Sequence, residues 1–543
     1  MKVSINWLKE LVDLKVPIEE VIKLLPLRTI GVKEVTQEFF ELDMKGYNRA
    51  DLLSLRGVAR EVAAITGSKL NFTDQPFPEY DLPETPVKIE NGNLAPVYCV
   101  LKIEGLKVTP SNPGWIKKLD DSGIRSVNNI VDITNLLMIE YGQDMHAFDA
   151  NCVTNQELIV RLAKNGEELT TIDGKKLKLS LEDLIIADPQ KPVGLAGIMG
   201  GKDSEVSEKT HTILLEITIF DPVTIRKTSQ RYGVHSEAAK RVQHGLTKTN
   251  LLQAMSAAIK MYESLGGKLT AINLTGNLKD EPKTIKLTQE KINSLIGINI
   301  PAEQIENSLK KLGFTLATQG HALEATVPYY RLDINIEEDL IEEIARMYGY
   351  EKIPAKELVG EAPQKVDQSF FELIYKLKST LANLGLTEIQ TYSFYSTKIL
   401  NNLKLNTEDL IKIANPMSAE TEYLRDRLWP NLLEATAKNI RNGIKDVAIF
   451  EIGKVFSPKE GGTPKENYHL SIALSNGTDN PIAELNQIAK SLSIHPEGVK
   501  LDSRYLHPTR HTDYMAEVHP RFVNKFGIEQ RVAVLEIEIK AQQ

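Results

Sequence analysis

The stretch TILLEITIF, residues 212–220, decides the fold class, because it is a short, β-branched, apolar run that carries a single carboxylate. Similar short runs precede it, namely VYCVLKIEGL (97–106), ELIVRLA (157–163) and DLIIAD (183–188). Glycine turns accompany them at DGKK (173–176) and GIMGGKD (197–203). Helical patterns lie between them, as in residues 217–233. This mixture predicts one large α+β domain over residues 85–278.

Three further regions flank this domain. Residues 1–84 read as a helix, a short extended piece and a second helix, and a proline-bearing link follows at TDQPFPEYDLPETP. Residues 279–358 read as a compact helical module with a β element and an acidic helix, and residues 359–543 alternate long amphipathic helices with strands. The chain is therefore predicted to be an α+β multi-domain protein with four domains.

Composition excludes several classes of protein. The 543 residues are 42% hydrophobic and 25% charged, which argues against disorder, and no apolar run is long enough to span a membrane. The first residues lack the uninterrupted apolar core of a secretion signal, and two cysteines cannot form a disulfide framework. We therefore expect a soluble, cytoplasmic protein. The net charge of -8 neither supports nor excludes nucleic-acid binding, which needs only a local basic patch.

A candidate hydrolytic pocket is spread over the large domain. Thr134 and His146 lie among apolar residues in SVNNIVDITNLLMIEYGQDMHAFDA, LAGIMGG offers unobstructed backbone amides, and Glu216 sits in the apolar run. A His and a Thr could position water while glycine amides hold an oxyanion and the Glu binds a polar group. From the residues alone, a structural histidine and an ordinary turn explain the pattern better. The motifs GxSxG, GxxxxGK[ST] and HExxH do not occur in the sequence.

The acidic helix is a second candidate site. Six carboxylates and no basic residue occupy its start, namely Asp333, Glu337, Glu338, Asp339, Glu342 and Glu343. Like charges three and four residues apart repel, and oxygen-only ligands would suit Mg²⁺. A solvated helix start rich in acids is the alternative, and the spacing alone favours it.

Several long motifs occur in a fixed order along nearly the whole chain: MKVSINWLKELVDL, NRADLLSLRGVAREVAAITG, SVNNIVDITNLLMIEYGQDMHAFDA, GLAGIMGG, LLEITIFDPVTIRKTSQRYGVHSEAAKR, VPYYRLDINIEEDLIEEIARMYGYEKIP and NPMSAETEYLRDRLWPNLLEATAKNIRNGIKDVAIFEIGKVF. In this order they resemble the beta-subunit family of bacterial-type phenylalanine–tRNA ligases. The resemblance implies an α2β2 heterotetramer that charges tRNA(Phe), in which the alpha subunit carries the site for ATP and phenylalanine.

The resemblance also implies that the second domain edits by hydrolysing tyrosine mischarged onto tRNA(Phe). Thr134 and His146 would line the editing pocket, and Gly197 would belong to its glycine turn. Glu216 would accept a hydrogen bond from the tyrosine hydroxyl. A pocket that hydrogen-bonds a hydroxyl group effectively rejects the analogue that lacks it. An editing pocket of this kind can therefore distinguish tyrosine from phenylalanine.

For the remaining domains the resemblance implies a small winged-helix-like module and a degenerate class II synthetase domain without an active site. The resemblance also implies a Mg²⁺ site that is shared with the alpha subunit. Its ligands would be the acidic residues Asp333, Asp339, Glu342 and Glu343. Four basic residues of the last domain would be surface charges or contacts to RNA or the alpha subunit, namely Arg425, Arg427, Arg441 and Lys445.

The chain departs from the family at three places. We expect the inserted oligonucleotide-binding-type domain and the C-terminal anticodon-binding domain of the family to be missing, and residues 242–244 are Val-Gln-His where relatives often have other residues. Two other functions therefore stay open: a stand-alone hydrolase of mischarged tRNA, and a structural or RNA-binding scaffold with a decayed pocket. The amphipathic helices of the last domain favour a partner, and Thr134, His146 and Glu216 favour a working pocket.

Overall fold

A computed structural model describes residues 1–319, 322–357, 360, 366–459, 461–477, 480–492, 505–506 and 514–540. The chain forms two compact units, residues 1–357 and 358–543. The mixture of helices and sheets in both units confirms the predicted α+β class. The division into four domains stays a prediction, and its boundary at 358/359 lies outside the described residues.

In the first unit, the helices are α1 (Ile5–Leu11), α2 (Ile18–Arg28), α3 (Leu55–Thr66), α4 (Pro113–Asp121), α5 (Asn129–Tyr141), α6 (Pro222–Tyr232), α7 (Glu237–His244), α8 (Lys248–Ser264), α9 (Gln289–Ile296), α10 (Ala302–Lys311) and α11 (Glu337–Tyr348). The strands are β1 (Lys2–Ser4), β2 (Val12–Asp13), β3 (Val32–Val35), β4 (Phe39–Leu42), β5 (Lys69–Leu70), β6 (Val87–Ile89), β7 (Val97–Glu104), β8 (Met145–Asp149), β9 (Leu158–Leu162), β10 (Glu168–Thr170), β11 (Lys176–Lys178), β12 (Leu184–Ala187), β13 (Pro192–Leu195), β14 (Met199–Gly200), β15 (Thr212–Ile219), β16 (Lys268–Gly276), β17 (Lys283–Thr288), β18 (Thr315–Gln319) and β19 (Ala322–Val327).

Two sheets of this unit position the candidate pocket. One has the order β16-β7-β15-β8 and is antiparallel, and the other has the order β14-β13-β12-β9-β6, in which β6 and β9 run parallel. One apolar core contains residues from both sheets, including Val100 and Leu214 from the first and Ile186 and Leu195 from the second. Helices α5 and α8 pack in a separate core with the alternate residues of β7 and β15, such as Leu101 and Leu215. Because side chains alternate along a strand, α5 and α8 cover the opposite face of the first sheet.

Residues with strong end preferences bound two helices of residues 279–358. The Thr288 side chain caps α9, and Gly297 ends it in the left-handed region. Helix α10 begins directly after Pro301, and Ile305 and Leu309 on one face of this helix are buried. Residues 1–84 are more complex than the predicted helix, extended piece and helix, because they also hold β1 to β5. These strands have two to four residues each, too few for a periodic pattern.

In the second unit, the helices are α12 (Ser369–Asn383), α13 (Thr397–Leu403), α14 (Trp429–Arg441), α15 (Pro481–Ser491) and α16 (Pro520–Val523). The strands are β20 (Thr387–Glu388), β21 (Phe394–Tyr395), β22 (Tyr423–Leu424), β23 (Val447–Ser457), β24 (Lys465–Ser475), β25 (Tyr505–Leu506), β26 (Tyr514–Val518) and β27 (Ala533–Ile539). Six of them form a largely antiparallel sheet in the order β20-β23-β24-β27-β26-β25. Among the described residues, none of the helices is both long and apolar enough to cross a membrane.

Candidate functional site

A cavity of about 70 Å³ in the first unit is lined by residues of β8, β13, β14 and β15. Strands β8 and β15 pair so that His146 stands directly opposite Glu216, and paired residues present their side chains to the same face of a sheet. Both side chains therefore reach the cavity. Its lining consists of Asp144, Met145, His146, Phe148, Ile186, Gly194, Leu195, Gly197, Ile198, Met199, Gly200, Glu216 and Ala238.

Three of the four residues predicted for the editing pocket meet here: His146, Gly197 and Glu216. Thr134 is not among the described residues that line the cavity. It lies on α5, and its hydroxyl donates a hydrogen bond to the carbonyl of Val131 at 2.7 Å. The structure thus satisfies the Thr134 hydroxyl within its own helix.

Buried polar atoms at this cavity lack partners. His146 Nε2 and Glu216 Oε1, two atoms of lining residues, are buried and have no hydrogen-bond partner among the described residues. The buried hydroxyl of Tyr98 also has no partner within hydrogen-bond geometry, but Tyr98 does not line the cavity, and it lies close enough to Glu216 to lower the pKa of that carboxyl group. Tyr98 is on β7, two residues from Val100, the residue that pairs with Glu216. Buried polar groups in proteins almost always find a partner. Unsatisfied atoms clustered at one cavity indicate a place for a polar ligand.

Burial sets the protonation of the three ionisable groups. It raises the pKa of Glu216 to about 8 despite an opposing interaction with the Tyr98 hydroxyl, with a smaller contribution from the charge of Asp144, and it raises the pKa of Asp144 to about 7. It lowers the pKa of His146 to about 4. At neutral pH Glu216 is therefore mostly a neutral acid, which both donates and accepts a hydrogen bond, and His146 is a neutral imidazole.

Two glycines shape the cavity for different reasons. Gly197 has φ +60°, a left-handed conformation that favours glycine. A Cβ on Gly200 would lie 2.3 Å from Cε1 of His146, so the imidazole packs directly on the Gly200 backbone. The ring of His146 also meets that of Phe148 edge-on, with 4.4 Å between the ring centroids. Gly200 and Phe148 together fix the orientation of the imidazole.

Sequence reasoning missed Asp144, Tyr98 and Gly200. Asp144 precedes His146 by two residues, and in an extended segment that spacing places both side chains on one face. This signal was available in the sequence. The proximity of Gly200 to His146 depends on the packing of two different sheets, because β14 and β8 belong to separate sheets, and it had no sequence signal.

Comparisons with known proteins identify the family. The family model described as "B3/4 domain" matches residues 94–267, the "tRNA synthetase B5 domain" matches residues 285–350, and the "Phenylalanyl tRNA synthetase beta chain CLM domain" matches residues 353–539. A phenylalanine–tRNA ligase beta subunit of Geobacter metallireducens is 31% identical over 94% of this chain and 68% of the relative. The chain belongs to the phenylalanine–tRNA ligase beta-subunit family.

Other beta subunits are similarly close but longer. The Carboxydothermus hydrogenoformans protein is 37% identical over 80% of this chain and 55% of the relative, and the Staphylococcus haemolyticus protein is 38% identical over 78% and 54%. The chain spans about half the length of these curated relatives. The cavity lies within the B3/4 match, and the acidic helix lies within the B5 match.

The four acidic residues predicted for Mg²⁺, Asp333, Asp339, Glu342 and Glu343, all line one cavity, where protein groups already bind three of their carboxylates. Asp333 receives two hydrogen bonds from Arg331, at 2.7 and 2.9 Å, and Asp339 caps α11 by accepting from the backbone of Asn335 and Ile336. Glu343 accepts from Arg331 at 2.5 Å and from Arg346 at 2.6 Å. Among the described residues no His, Cys, Asp or Glu cluster could hold a metal ion.

The surroundings of these carboxylates are cationic, which the local sequence did not reveal. Glu342 and Glu343 line a cavity of about 460 Å³ together with Arg49 and Arg346. Arg346 also binds Glu61 of α3 through two hydrogen bonds of 2.9 Å. The solvated-face interpretation holds for Glu337 and Glu338, whose side chains pair with Lys291, but Glu343 is buried.

The four basic residues of the CLM match divide into two kinds. Arg425 and Arg427 are buried, and Arg425 pairs with Glu451 at 2.8 Å. Arg427 pairs with Asp426 next to it. Arg441 and Lys445 are exposed. The two buried arginines are therefore structural within the second unit, and the expectation of surface charge applies only to the exposed pair.

Proposed function

We propose that this chain is the beta subunit of a phenylalanine–tRNA ligase and that its B3/4 cavity hydrolyses tyrosyl-tRNA(Phe). It would pair with an alpha subunit in an α2β2 tetramer that charges tRNA(Phe), with ATP and its Mg²⁺ used at the alpha-subunit site. Membership of the beta-subunit family supports this role.

The pairing of Glu216 with His146 across two strands carries the proposal. Both present a buried, unpartnered polar atom to one cavity. A tyrosine hydroxyl would satisfy Glu216, and phenylalanine would leave it unsatisfied, which costs about 1–3 kcal/mol for a buried polar group. The cavity would therefore accept the mischarged amino acid and reject the correct one.

His146 would position the attacking water. Its neutral imidazole can accept a hydrogen bond from water at Nε2, the nitrogen without a partner. Backbone amides of the turn that contains Gly197 would stabilise the oxyanion that forms at the ester carbonyl. Glu216 would read the hydroxyl and take no part in proton transfer.

Two substitutions at Glu216 test this assignment. Glu216→Ala should slow hydrolysis of tyrosyl-tRNA(Phe) about 10- to 100-fold, the value of a buried hydrogen bond, while charging with phenylalanine by the α2β2 complex stays unchanged. Glu216→Gln keeps a donor and an acceptor and should retain most of the activity. The matched control is Glu208→Ala, which removes an exposed carboxylate of the same unit. An equal loss of charging and hydrolysis in Glu216→Ala would refute the hydroxyl-reading role.

Gly200→Ala tests the position of His146. The added methyl group would displace the imidazole, and a shift of about 1 Å can cost about 100-fold in rate. Hydrolysis at the wild-type rate would exclude His146 from the reaction.

The division of labour with the alpha subunit needs its own test. The purified chain should form no phenylalanyl-adenylate, because activation is assigned to the partner. Adenylate formation by this chain alone would contradict the proposal. Hydrolysis of tyrosyl-tRNA(Phe) at the full rate without an alpha subunit would favour the stand-alone hydrolase, and no hydrolysis in either form would favour the scaffold.

A further inference from the structure

Asp144 lines the same cavity and has no part in the function proposed above. Its side chain is 8% exposed, and its carboxylate receives one long hydrogen bond of 3.4 Å from the neighbouring Gln143. Arg241 acts on it electrostatically, but this arginine is ion-paired with Glu237 at 2.6 Å. Asp144 is thus a buried carboxyl group without a close cation of its own.

No lysine or arginine is among the described residues that line the cavity. The lining does include two carboxyl groups. Two buried carboxyl groups disfavour each other's ionisation, and a cation bound between them would relieve that repulsion. No carboxylate and histidine cluster among the described residues is arranged to hold a metal ion. An organic cation that also donates hydrogen bonds would match this lining.

An aminoacyl ester supplies such a cation. It carries an ammonium group on the carbon next to the ester carbonyl, the carbonyl that hydrolysis attacks. The rest of the lining is largely apolar, with Phe148, Ile186 and Leu195 available to contact an aromatic ring.

We propose that Asp144 is a specificity-determining residue that accepts a hydrogen bond from the α-ammonium group of the aminoacyl ester, an inference that rests on the function proposed for this cavity. Glu216 would then hydrogen-bond the side-chain hydroxyl of the substrate, and Asp144 would hydrogen-bond its amino group. Burial raises the pKa of Asp144 to about 7 in the empty cavity, and a bound ammonium group would draw it back toward the charged form.

The test compares two probes that differ only in the ammonium group. The 543-residue chain is titrated with L-tyrosinamide and with 3-(4-hydroxyphenyl)propanamide, and binding is followed by calorimetry. The wild type should prefer tyrosinamide. Asp144→Asn should weaken its binding about 10- to 100-fold, the range of a charge-assisted hydrogen bond, and should leave the neutral probe within about 2-fold.

Three outcomes would overturn the proposal: equal affinity of the wild type for both probes, binding of neither probe, or equal weakening of both by Asp144→Asn. Asp203→Asn is the control, because Asp203 is exposed on the same unit and pairs with Lys191. Asp144→Ser serves as a second variant if Asp144→Asn does not fold. Because Asp144 is buried without a close cation, neither change should lower the melting temperature.

Hydrolysis of tyrosyl-tRNA(Phe), measured in parallel, separates this proposal from the function on which it rests. If the chain binds tyrosinamide through Asp144 but does not hydrolyse the ester, only the hydrolytic function fails. If Asp144→Asn hydrolyses the ester at the wild-type rate with the wild-type KM, only the role of Asp144 fails.

Discussion

Two groups of buried carboxyl residues in the first unit behave in opposite ways. In the cavity, burial raises the pKa of Asp144 and Glu216 to about 7 and about 8. At the acidic helix, burial would also raise the pKa of Glu343, but the charges of Arg346 and Arg331 outweigh it and lower the pKa to about 2. Glu61 is shifted in the same direction, because Arg346 and Arg49 overcome the effect of its burial.

The difference teaches that burial alone does not decide the state of a carboxyl group. Glu216 is 6% exposed and Glu343 is 3% exposed, so both are nearly withdrawn from solvent. Glu343 has two arginines within hydrogen-bond distance, whereas one oxygen of Glu216 has no partner. The ion-paired Glu343 stabilises the fold. Burial of the unpaired Glu216 oxygen costs stability, and a ligand that hydrogen-bonds it can offset this cost.

The largest effect should come from breaking the arginine cluster. Glu61→Gln leaves Arg346 and Arg49 buried without their shared carboxylate and should lower the free energy of unfolding by about 3–5 kcal/mol at pH 7. Chemical denaturation measures this difference. A loss below about 1 kcal/mol would mean that the cluster does not hold α11 to α3.

The cost of Glu61→Gln should also depend on pH. A lowered pKa in the folded state stabilises the fold above the unfolded value near 4.5 and loses that contribution as pH falls below it. The difference between wild type and variant should therefore shrink in acid. A difference that stays constant down to pH 3 would contradict the ion-pair explanation.

An intermediate effect of opposite sign is expected in the cavity. Glu216 has a raised pKa in the folded state, so between about pH 4.5 and about pH 8 it ionises in the unfolded chain but stays protonated in the fold, and the fold loses stability as pH rises over that range. Glu216→Gln cannot ionise and should gain stability relative to wild type over that range, on the order of 1–3 kcal/mol at pH 8. Thermal unfolding at pH 5 and pH 8 measures the gain. The same difference at both pH values would show that Glu216 is not buried as an acid.

The smallest effect is expected at the exposed start of α11. Glu338 is about half exposed and pairs with Lys291 at 2.8 Å. Glu338→Gln should leave the free energy of unfolding nearly unchanged, and added salt should reduce any remaining difference, because the pair is solvated. A cost comparable to that of Glu61→Gln would erase the contrast between solvated and buried carboxylates on one helix.

Local patterns predicted much of the secondary structure. The run TILLEITIF forms β15, and Thr288 and Gly297, residue types typical of helix ends, bound α9. Such signals are local because capping and alternation involve neighbouring residues. The short strands of residues 1–84 escaped prediction because pairing with distant segments, rather than local sequence, forms them.

The candidate site was only partly predictable. From the motifs, His146, Gly197 and Glu216 were predicted to share one pocket, and in the structure all three line one cavity. Thr134 lies on α5, which covers the opposite face of the sheet from the cavity. The sequence pattern of α5 predicts a helix but does not indicate which face of the sheet the helix covers. The Mg²⁺ prediction did not include the arginine partners of Glu343, because these arginines lie outside the acidic run on which the prediction was based.

By itself, the sequence determined the family, the α+β class and the identities of the groups that can carry charge. Only the tertiary structure decided which of those groups are paired. Arg346 and Glu61 lie 285 positions apart in the chain, yet they form two hydrogen bonds, while Asp144 and Glu216 share a cavity with no cation in its lining. The physical reason is that electrostatic interactions depend on distance in space and on exclusion of water, and neither can be read along the chain.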